Sequence, residues 1–193
     1  MRLDGFSCPV GLRPSYAVDT PVPVLPGSQT ESLTPVARQT FLDATWTVSN
    51  VNDRMGYRLQ GPQLELEGSA DVISEVIPEG GVEVTGTGSP IVMLADRQTT
   101  GGYVKPFVVA TAALGWLAQR RPGDSVRFHM CSLDEAREML EQQSSARKQL
   151  TRLQTVWHQC RAGGTLHVTV NGVQHVVDWQ DVTPLEVDHE QSS

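Results

Sequence analysis

The chain is poor in cysteine, in basic charge and in long apolar runs, and each shortage closes off a class of explanation. Its three cysteines, Cys8, Cys131 and Cys160, stand far apart with no C-x-x-C spacing. Neither a disulfide framework nor a zinc ribbon is written into it, and a reducing cytosol suits it. Lysine and arginine number 15 against 22 acids, for a net charge of −7. With no basic run interleaved with aromatics, no nucleic-acid partner is expected. No run of about 18 apolar residues occurs, and no basic segment followed by an apolar one opens the chain. The expectation is a cytoplasmic protein with no membrane contact. The histidines, His129, His158, His167, His175 and His189, show no H-x-H or H-E-x-x-H spacing, so no metal site is predicted. A phosphate-binding loop is also missing, because Gly86-Thr87-Gly88-Ser89-Pro90 lacks the lysine of G-x-x-x-x-G-K-[ST].

What is present is enough for one well-buried domain and a tail, at 193 residues with 39% hydrophobic content. Residues 1 to 35 hold six of the twelve prolines. They read as an irregular, extended lead-in without long helices or central strands. Thr34 as cap and Pro35 at the first helical position predict a short helix over Leu33 to Leu42. Short strands follow at Trp46 to Ser49, Tyr57 to Gln60, Glu83 to Thr85, Ile91 to Leu94 and Val126 to His129. Many short strands between Gly and Pro turns predict a mainly β, closed or nearly closed structure with a few helices.

Ala110 to Gln119 reads as one helix, stopped by Arg121-Pro122-Gly123-Asp124. A longer one begins at Ser132, three residues before Glu135 in a capping box, and ends at Gly163-Gly164. Unbroken it would reach about 45 Å, longer than the domain needs, which predicts an interruption at Ser144-Ser145. Its apolar stripe, Leu140, Leu150, Leu153 and Trp157, fits either core packing or a partner helix. Thr165 to Trp179 alternates around Asn171-Gly172, a type I′ hairpin signal.

The densest chemistry lies in Leu94 to Lys105, LADRQTTGGYVK, just after the apolar run Ile91-Val92-Met93-Leu94. A polar loop leaving a buried strand is a good place for a site, and Gly101-Gly102 would let its backbone bend. Upstream stand Asp53-Arg54-Met55-Gly56-Tyr57-Arg58-Leu59, Ser74-Glu75 and Gly88-Ser89-Pro90-Ile91; downstream stands Arg121-Pro122-Gly123-Asp124-Ser125-Val126-Arg127-Phe128. From Trp46 to about Ala136 this ordered series resembles the carboxyltransferase family that contains the 5-oxoprolinase C-subunit, allophanate hydrolase subunit 2 and the carboxyltransferase part of urea amidolyase. The family usually reads GGYPK where this chain has Val104 before Lys105, and a glutamine where Glu83 stands.

The resemblance implies a cyclophilin-like β-barrel over 46–131, preceded by a remnant of the family's N-terminal half at 1–45 and followed by a helix, hairpin and tail at 132–193. The chain then corresponds to the C-terminal portion of the family architecture, as a short form, a split gene or a fragment. It also implies a small amide substrate, 5-oxoproline or urea, and a partner: a homologue of the 5-oxoprolinase B-subunit, or the absent N-terminal half. No cofactor is expected on this chain, ATP or carboxybiotin reaching the site through partners. A non-catalytic regulatory protein, antagonist of a kinase inhibitor, and an inactive short family member are the alternatives.

An amide substrate asks for paired donors and acceptors, a base for an N–H proton, and a cation or backbone N–H groups for oxyanion charge. Asp96 is a candidate base or orienting acceptor, Lys105 a candidate cation, and Tyr103 a proton donor or stacking face. Gln98, Thr99, Thr100, Gly101 and Gly102 are candidate binding groups. Arg54 is placed either to grip a carboxylate or to pair with Asp53, and Glu75 is a further binding candidate or a strand-end cap.

Overall fold

The computed structural model describes residues 8–13, 20–159, 164–170 and 173–179. They form two compact units, Pro14–Ser144 and a second made of Met1–Arg13 with Ser145–Ser193.

The first unit is a nine-stranded sheet rolled into a nearly closed barrel. In chain order its elements are β1 Val22–Pro26, α1 Pro35–Asp43, β2 Trp46–Asn52, β3 Gly56–Gln60, β4 Asp71–Val76, β5 Gly81–Val84, β6 Pro90–Met93, β7 Thr100–Val109, α2 Leu114–Ala118, β8 Ser125–Val126 and β9 Phe128–Met130. The strand order is β8-β2-β3-β6-β5-β7-β1-β9, with β4 pairing β7 off this path. The two ends of that order, β8 and β9, are separated in sequence by Arg127 alone. One extended segment therefore pairs with β2 at its start and with β1 at its end, which curls the sheet back on itself and leaves few open edges.

Strand β1 corrects the reading of the first 35 residues as free of central strands. It lies between β7 and β9, and Val22 and Val24 are fully buried. Pro23 is tolerated because the β1–β7 register begins only at Val24 opposite Val109, while Val22 N–H bonds Arg127 O on the other side. The lead-in residues 22–43 are thus part of the barrel unit rather than a segment set apart at residue 45.

The core packs around Phe41 of α1, whose ring stacks on Phe107 at 4.5 Å and on Phe128 at 4.6 Å. Trp46, also fully buried, donates its indole N–H to Phe41 O over 3.0 Å, so its polar edge is satisfied inside the core. Helix α1 starts as expected: Thr34 Oγ1 accepts from Ala37 N at 3.1 Å and Pro35 follows at the first helical position.

The single helix expected over Ala110 to Gln119 is instead a 3-10 turn, Thr111–Ala113, followed by the short α2. Tyr57 Oη, reaching Arg120 O at 3.1 Å, takes up a carbonyl at its C-terminal end.

Helix α3, Leu133–Gln159, runs for 27 residues without a break at Ser144-Ser145. Two serines cost a helix only a few tenths of a kcal/mol, roughly, against the flanking good helix formers. The capping box is formed in full. Ser132 N and Oγ donate to Glu135 Oε2 at 2.6 and 2.9 Å, and Glu135 N donates back to Ser132 Oγ at 3.2 Å. These bonds, the backbone one foremost, hold the Glu135 carboxyl below its ordinary range.

In the second unit β10 Gly164–Val170 pairs antiparallel with β11 Val173–Trp179, Val170 opposite Val173. That register fits the expected two-residue turn, although Asn171 and Gly172 lie outside the described residues. No described helix is long and apolar enough to cross a membrane.

Candidate functional site

The loop between β6 and β7 is fastened at both ends. Leu94 N donates to Met55 O at 2.8 Å, Arg97 Nε donates to Ile77 O at 2.9 Å, and Ile77 N donates to Thr99 O at 3.0 Å. Arg97, which the sequence reading passed over, thus ties the loop to the connection between β4 and β5.

The loop closes sooner than the Gly-Gly pair suggests. Thr100, Gly101 and Gly102 already lie in β7, with Gly101 opposite Glu75 and Tyr103 opposite Asp71, and neither glycine has positive φ. Their smallness serves packing, not bending. A Cβ on Gly101 would stand 2.6 Å from Ile77 Cδ1, 2.7 Å from Glu83 Oε1 and 3.2 Å from Gln98 Nε2. Glycine here makes the space into which Glu83 and Gln98 fit.

Lys105 follows two residues beyond Tyr103, and the sheet is irregular at that point. Val82 pairs Phe107 and Val84 pairs Val104, so Lys105 and Pro106 together oppose Glu83. This bulge breaks the alternation of inward and outward residues, and Val104, Lys105, Pro106 and Phe107 are all buried. Lys105 is 1% exposed. Its ammonium donates to Tyr103 O at 2.7 Å and stands 3.8 Å from Glu75 Oε1.

Gln29, from the lead-in, completes this arrangement. Its Oε1 accepts from Lys105 N at 2.9 Å, and its Nε2 donates to Glu75 Oε1. The segment fits so closely that a Cβ on Gly27 would lie 2.1 Å from Lys105 O. No local signal marks Gln29, because its partners are 46 and 76 residues away and only the pairing of β1 with β7 brings them together.

Glu83 is 3% exposed and its Oε1 has no hydrogen-bond partner. Burial raises its carboxyl above the ordinary range, and the nearby Lys105 charge offsets that only in part. Glu83 is therefore a buried acid under the influence of a buried cation. Beside it lies a cavity of about 520 Å³ whose lining includes Asn52, Arg58, Glu83, Gln98 and Tyr103. That volume suits a small molecule, and the walls offer a carboxyl, amides, a phenol and a guanidinium.

Arg54 and Asp96 form a separate feature at the surface. Arg54 Nε meets Asp96 Oδ2 at 3.0 Å and Nη2 meets Oδ1 at 3.2 Å, a two-point pair that neighbours a second cavity of about 540 Å³ lined in part by Arg54. Asp53 does not hold Arg54. Its Oδ1 accepts from Met55 N and Gly56 N instead and shapes the turn before β3. Of the sequence candidates, the fold gathers Lys105, Tyr103, Glu75, Gly101 and Gln98 around one spot, joined by Glu83 and Gln29. Asp96 is bound to Arg54 and makes no ion pair with Lys105, whose carboxylate partner is Glu75. Thr99 and Thr100 contribute backbone pairing there.

The profile of the carboxyltransferase domain, subdomains A and B, matches residues 4–130. The chain belongs to this family. Among its relatives, the 5-oxoprolinase C-subunit of Haemophilus influenzae is 39% identical over 127 residues, covering 66% of this chain and 41% of that protein. Its counterpart in Escherichia coli is 35% identical over 126 residues, with 65% and 41% covered. The crystal structure of the K. lactis urea amidolyase superposes with a TM-score of 0.66 at 26% identity, over 72% of this chain and 9% of that one. This family member thus spans about two fifths of the length of the two 5-oxoprolinase relatives. The match takes in the proline-rich lead-in, as the placement of β1 and Gln29 does, and it ends before α3.

Proposed function

We propose that this carboxyltransferase-family chain is the site-bearing part of a 5-oxoprolinase or urea-type carboxyltransferase complex and acts on a small amide together with a partner protein. The observation that carries the reading is the dry ammonium of Lys105, 3.8 Å from Glu75 Oε1 and close enough to act on the charge of the buried Glu83 carboxyl, which itself lines a cavity of small-molecule size. A fixed cation in low dielectric stabilises oxyanion character as an amide carbonyl is attacked or its N–H is lost, far more than it would in water. Gln98 supplies the matching amide edge, Tyr103 a phenol at the cavity wall, and Glu75, partly open to solvent, a carboxylate able to exchange a proton. ATP or carboxybiotin reaches this site through the partner, and the chain itself holds neither.

The test is reconstitution with a homologue of the 5-oxoprolinase B-subunit and a polypeptide supplying the rest of the family architecture. ATP hydrolysis dependent on 5-oxoproline, or carboxyl transfer to urea, is measured for the wild type and for Lys105→Met. Turnover of one amide, falling about 100-fold or more in Lys105→Met, is expected. An assembled complex that turns over neither amide, or one indifferent to Lys105→Met, overturns the proposal.

A further inference from the structure

Glu83 lies on β5, a strand buried at all four of its residues, and its carboxyl is closed off from bulk water. Lys105, whose charge acts on it, directs its ammonium elsewhere, donating to Tyr103 O at 2.7 Å and standing 3.8 Å from Glu75 Oε1. Among the described residues, Glu83 Oε1 is left without a donor. Such atoms are rare in folded proteins, because an interior acceptor with no hydrogen bond costs stability until water or a ligand completes it.

The cavity of about 520 Å³ supplies the place for that donor. Its lining runs from the exposed Arg58, Gln98 and Tyr103 to the buried Gly56, Glu83 and Met93. Glu83 Oε1 lies 2.7 Å, and Gln98 Nε2 3.2 Å, from the point where a Cβ on Gly101 would stand. An acceptor from β5 and an N–H donor from the loop before β7 therefore reach one spot, without a hydrogen bond from Gln98 to that oxygen. Charge narrows what can meet them. A cationic ligand would enter against Lys105 and Arg58, and burial holds the Glu83 proton to higher pH, which weakens its attraction for a cation. A neutral N–H suits it better.

We infer that Glu83 and Gln98 recognise the cis edge of an amide, Glu83 Oε1 accepting from the ligand N–H and Gln98 Nε2 donating to the carbonyl oxygen beside it. This rests on the reading above that the cavity takes a small amide, and it specifies which amides fit. In a primary amide, a urea or a lactam, an N–H and the C=O point to the same side. In an ordinary trans secondary amide, a peptide bond included, they point to opposite sides, and an N-alkylated lactam has no N–H to offer. Glu83 thereby sets specificity, admitting unsubstituted cis amides and rejecting peptides and N-alkylated analogues.

The whole chain, without partner or nucleotide, is titrated with 2-pyrrolidinone, N-methyl-2-pyrrolidinone and trans N-methylacetamide, and binding is followed by saturation-transfer NMR. 2-Pyrrolidinone is expected to bind about tenfold or more tightly than either of the others. Glu83→Met removes the acceptor and should abolish that preference. Gln98→Met, at an exposed position, should weaken 2-pyrrolidinone about tenfold while the thermal midpoint stays unchanged. A reading on the wild type keeps the test independent of whether Glu83→Met folds. The carboxyl ¹³C resonance of Glu83, assigned by its loss in Glu83→Gln, should move on addition of 2-pyrrolidinone and stay in place with its N-methyl form. Absence of lactam binding, equal affinity for the N–H and N-methyl forms, or a Glu83 resonance indifferent to the lactam overturns the inference. Turnover plays no part in these readings, so the pair can fail while a reconstituted complex still acts on an amide, and the complex can fail while the pair still binds one.

Discussion

Lys105 Nζ and Glu75 Oε1 stand 3.8 Å apart, yet the lysine side chain is 2% exposed and the glutamate side chain 42% exposed. The pair connects a dry cation to the solvent through a half-open carboxylate. Lys105→Met keeps the stem and removes the charge. We expect it to lower turnover by about 100-fold or more in the reconstituted complex, and to lower stability by about 1–3 kcal/mol, because Tyr103 O loses its donor and Glu83 its compensating cation. Adding Glu83→Gln should restore much of that stability without restoring the rate. A double variant no more stable than Lys105→Met would show that Glu83 is not the group left uncompensated.

Glu83 itself sets a pH dependence. Its carboxyl is raised above 4.5 by burial, so the folded state keeps its proton to higher pH than the unfolded chain does. The sign follows: its contribution is fully present below the unfolded value and is lost as pH rises through the folded one. Glu83→Gln, which removes the charge and keeps the shape, should therefore gain stability over the wild type progressively above about pH 4.5 and by roughly 1 kcal/mol or more at pH 8. Thermal midpoints of both proteins from pH 4 to 8 measure this. A difference that shrinks with rising pH would contradict it.

Local signals in the sequence became structure where their partners are near in sequence. Thr34 with Pro35 starts α1, Ser132 with Glu135 starts α3, and the alternation after Gly164 pairs as a hairpin. The barrel was legible as short strands between turns. The misses within the sheet share one cause, which is long-range pairing. Pro23 argued against a strand, and nothing nearby shows that its missing N–H falls outside the β7 register. Gln29 looks like loop polarity until β1 lies beside β7. Gly101 and Gly102 read as a turn because glycine marks both bends and close packing, and only the approach of Glu83 and Ile77 decides between them. Lys105 read as a loop-end cation; the bulge opposite Glu83 makes it a buried one.

That approach can be tested at the two neighbouring glycines. On Gly101 a methyl would press within 2.7 Å of Glu83 Oε1 and 2.6 Å of Ile77 Cδ1, whereas on Gly102 the nearest atoms are Val72 O at 3.3 Å and Ser74 Oγ at 3.7 Å. Gly101→Ala should cost about 1–3 kcal/mol and disturb ligand binding in the cavity, and Gly102→Ala should cost less than half as much. Denaturant midpoints rank the two. Equal losses would return both glycines to a backbone role.

The remaining question is whether Asp96 works alone or with Arg54. The two are joined by bonds of 3.0 and 3.2 Å, and Asp96 N also donates to Arg54 O at 3.0 Å, so the loops before β3 and β7 are held together at this point. Both side chains are substantially exposed, so Asp96→Asn and Arg54→Gln should each change stability by less than about 1 kcal/mol. Their effect on turnover is the informative quantity. If the pair positions the two loops as a unit, either substitution releases both, and the double variant loses no more rate than the worse single one. We expect that non-additive result, with KM raised more than kcat is lowered. A base acting independently would behave differently: Asp96→Asn would cost a further factor of about 100 in kcat even in the Arg54→Gln background. A cycle with fully additive losses would therefore make Asp96 the proton acceptor and leave Arg54 a substrate contact.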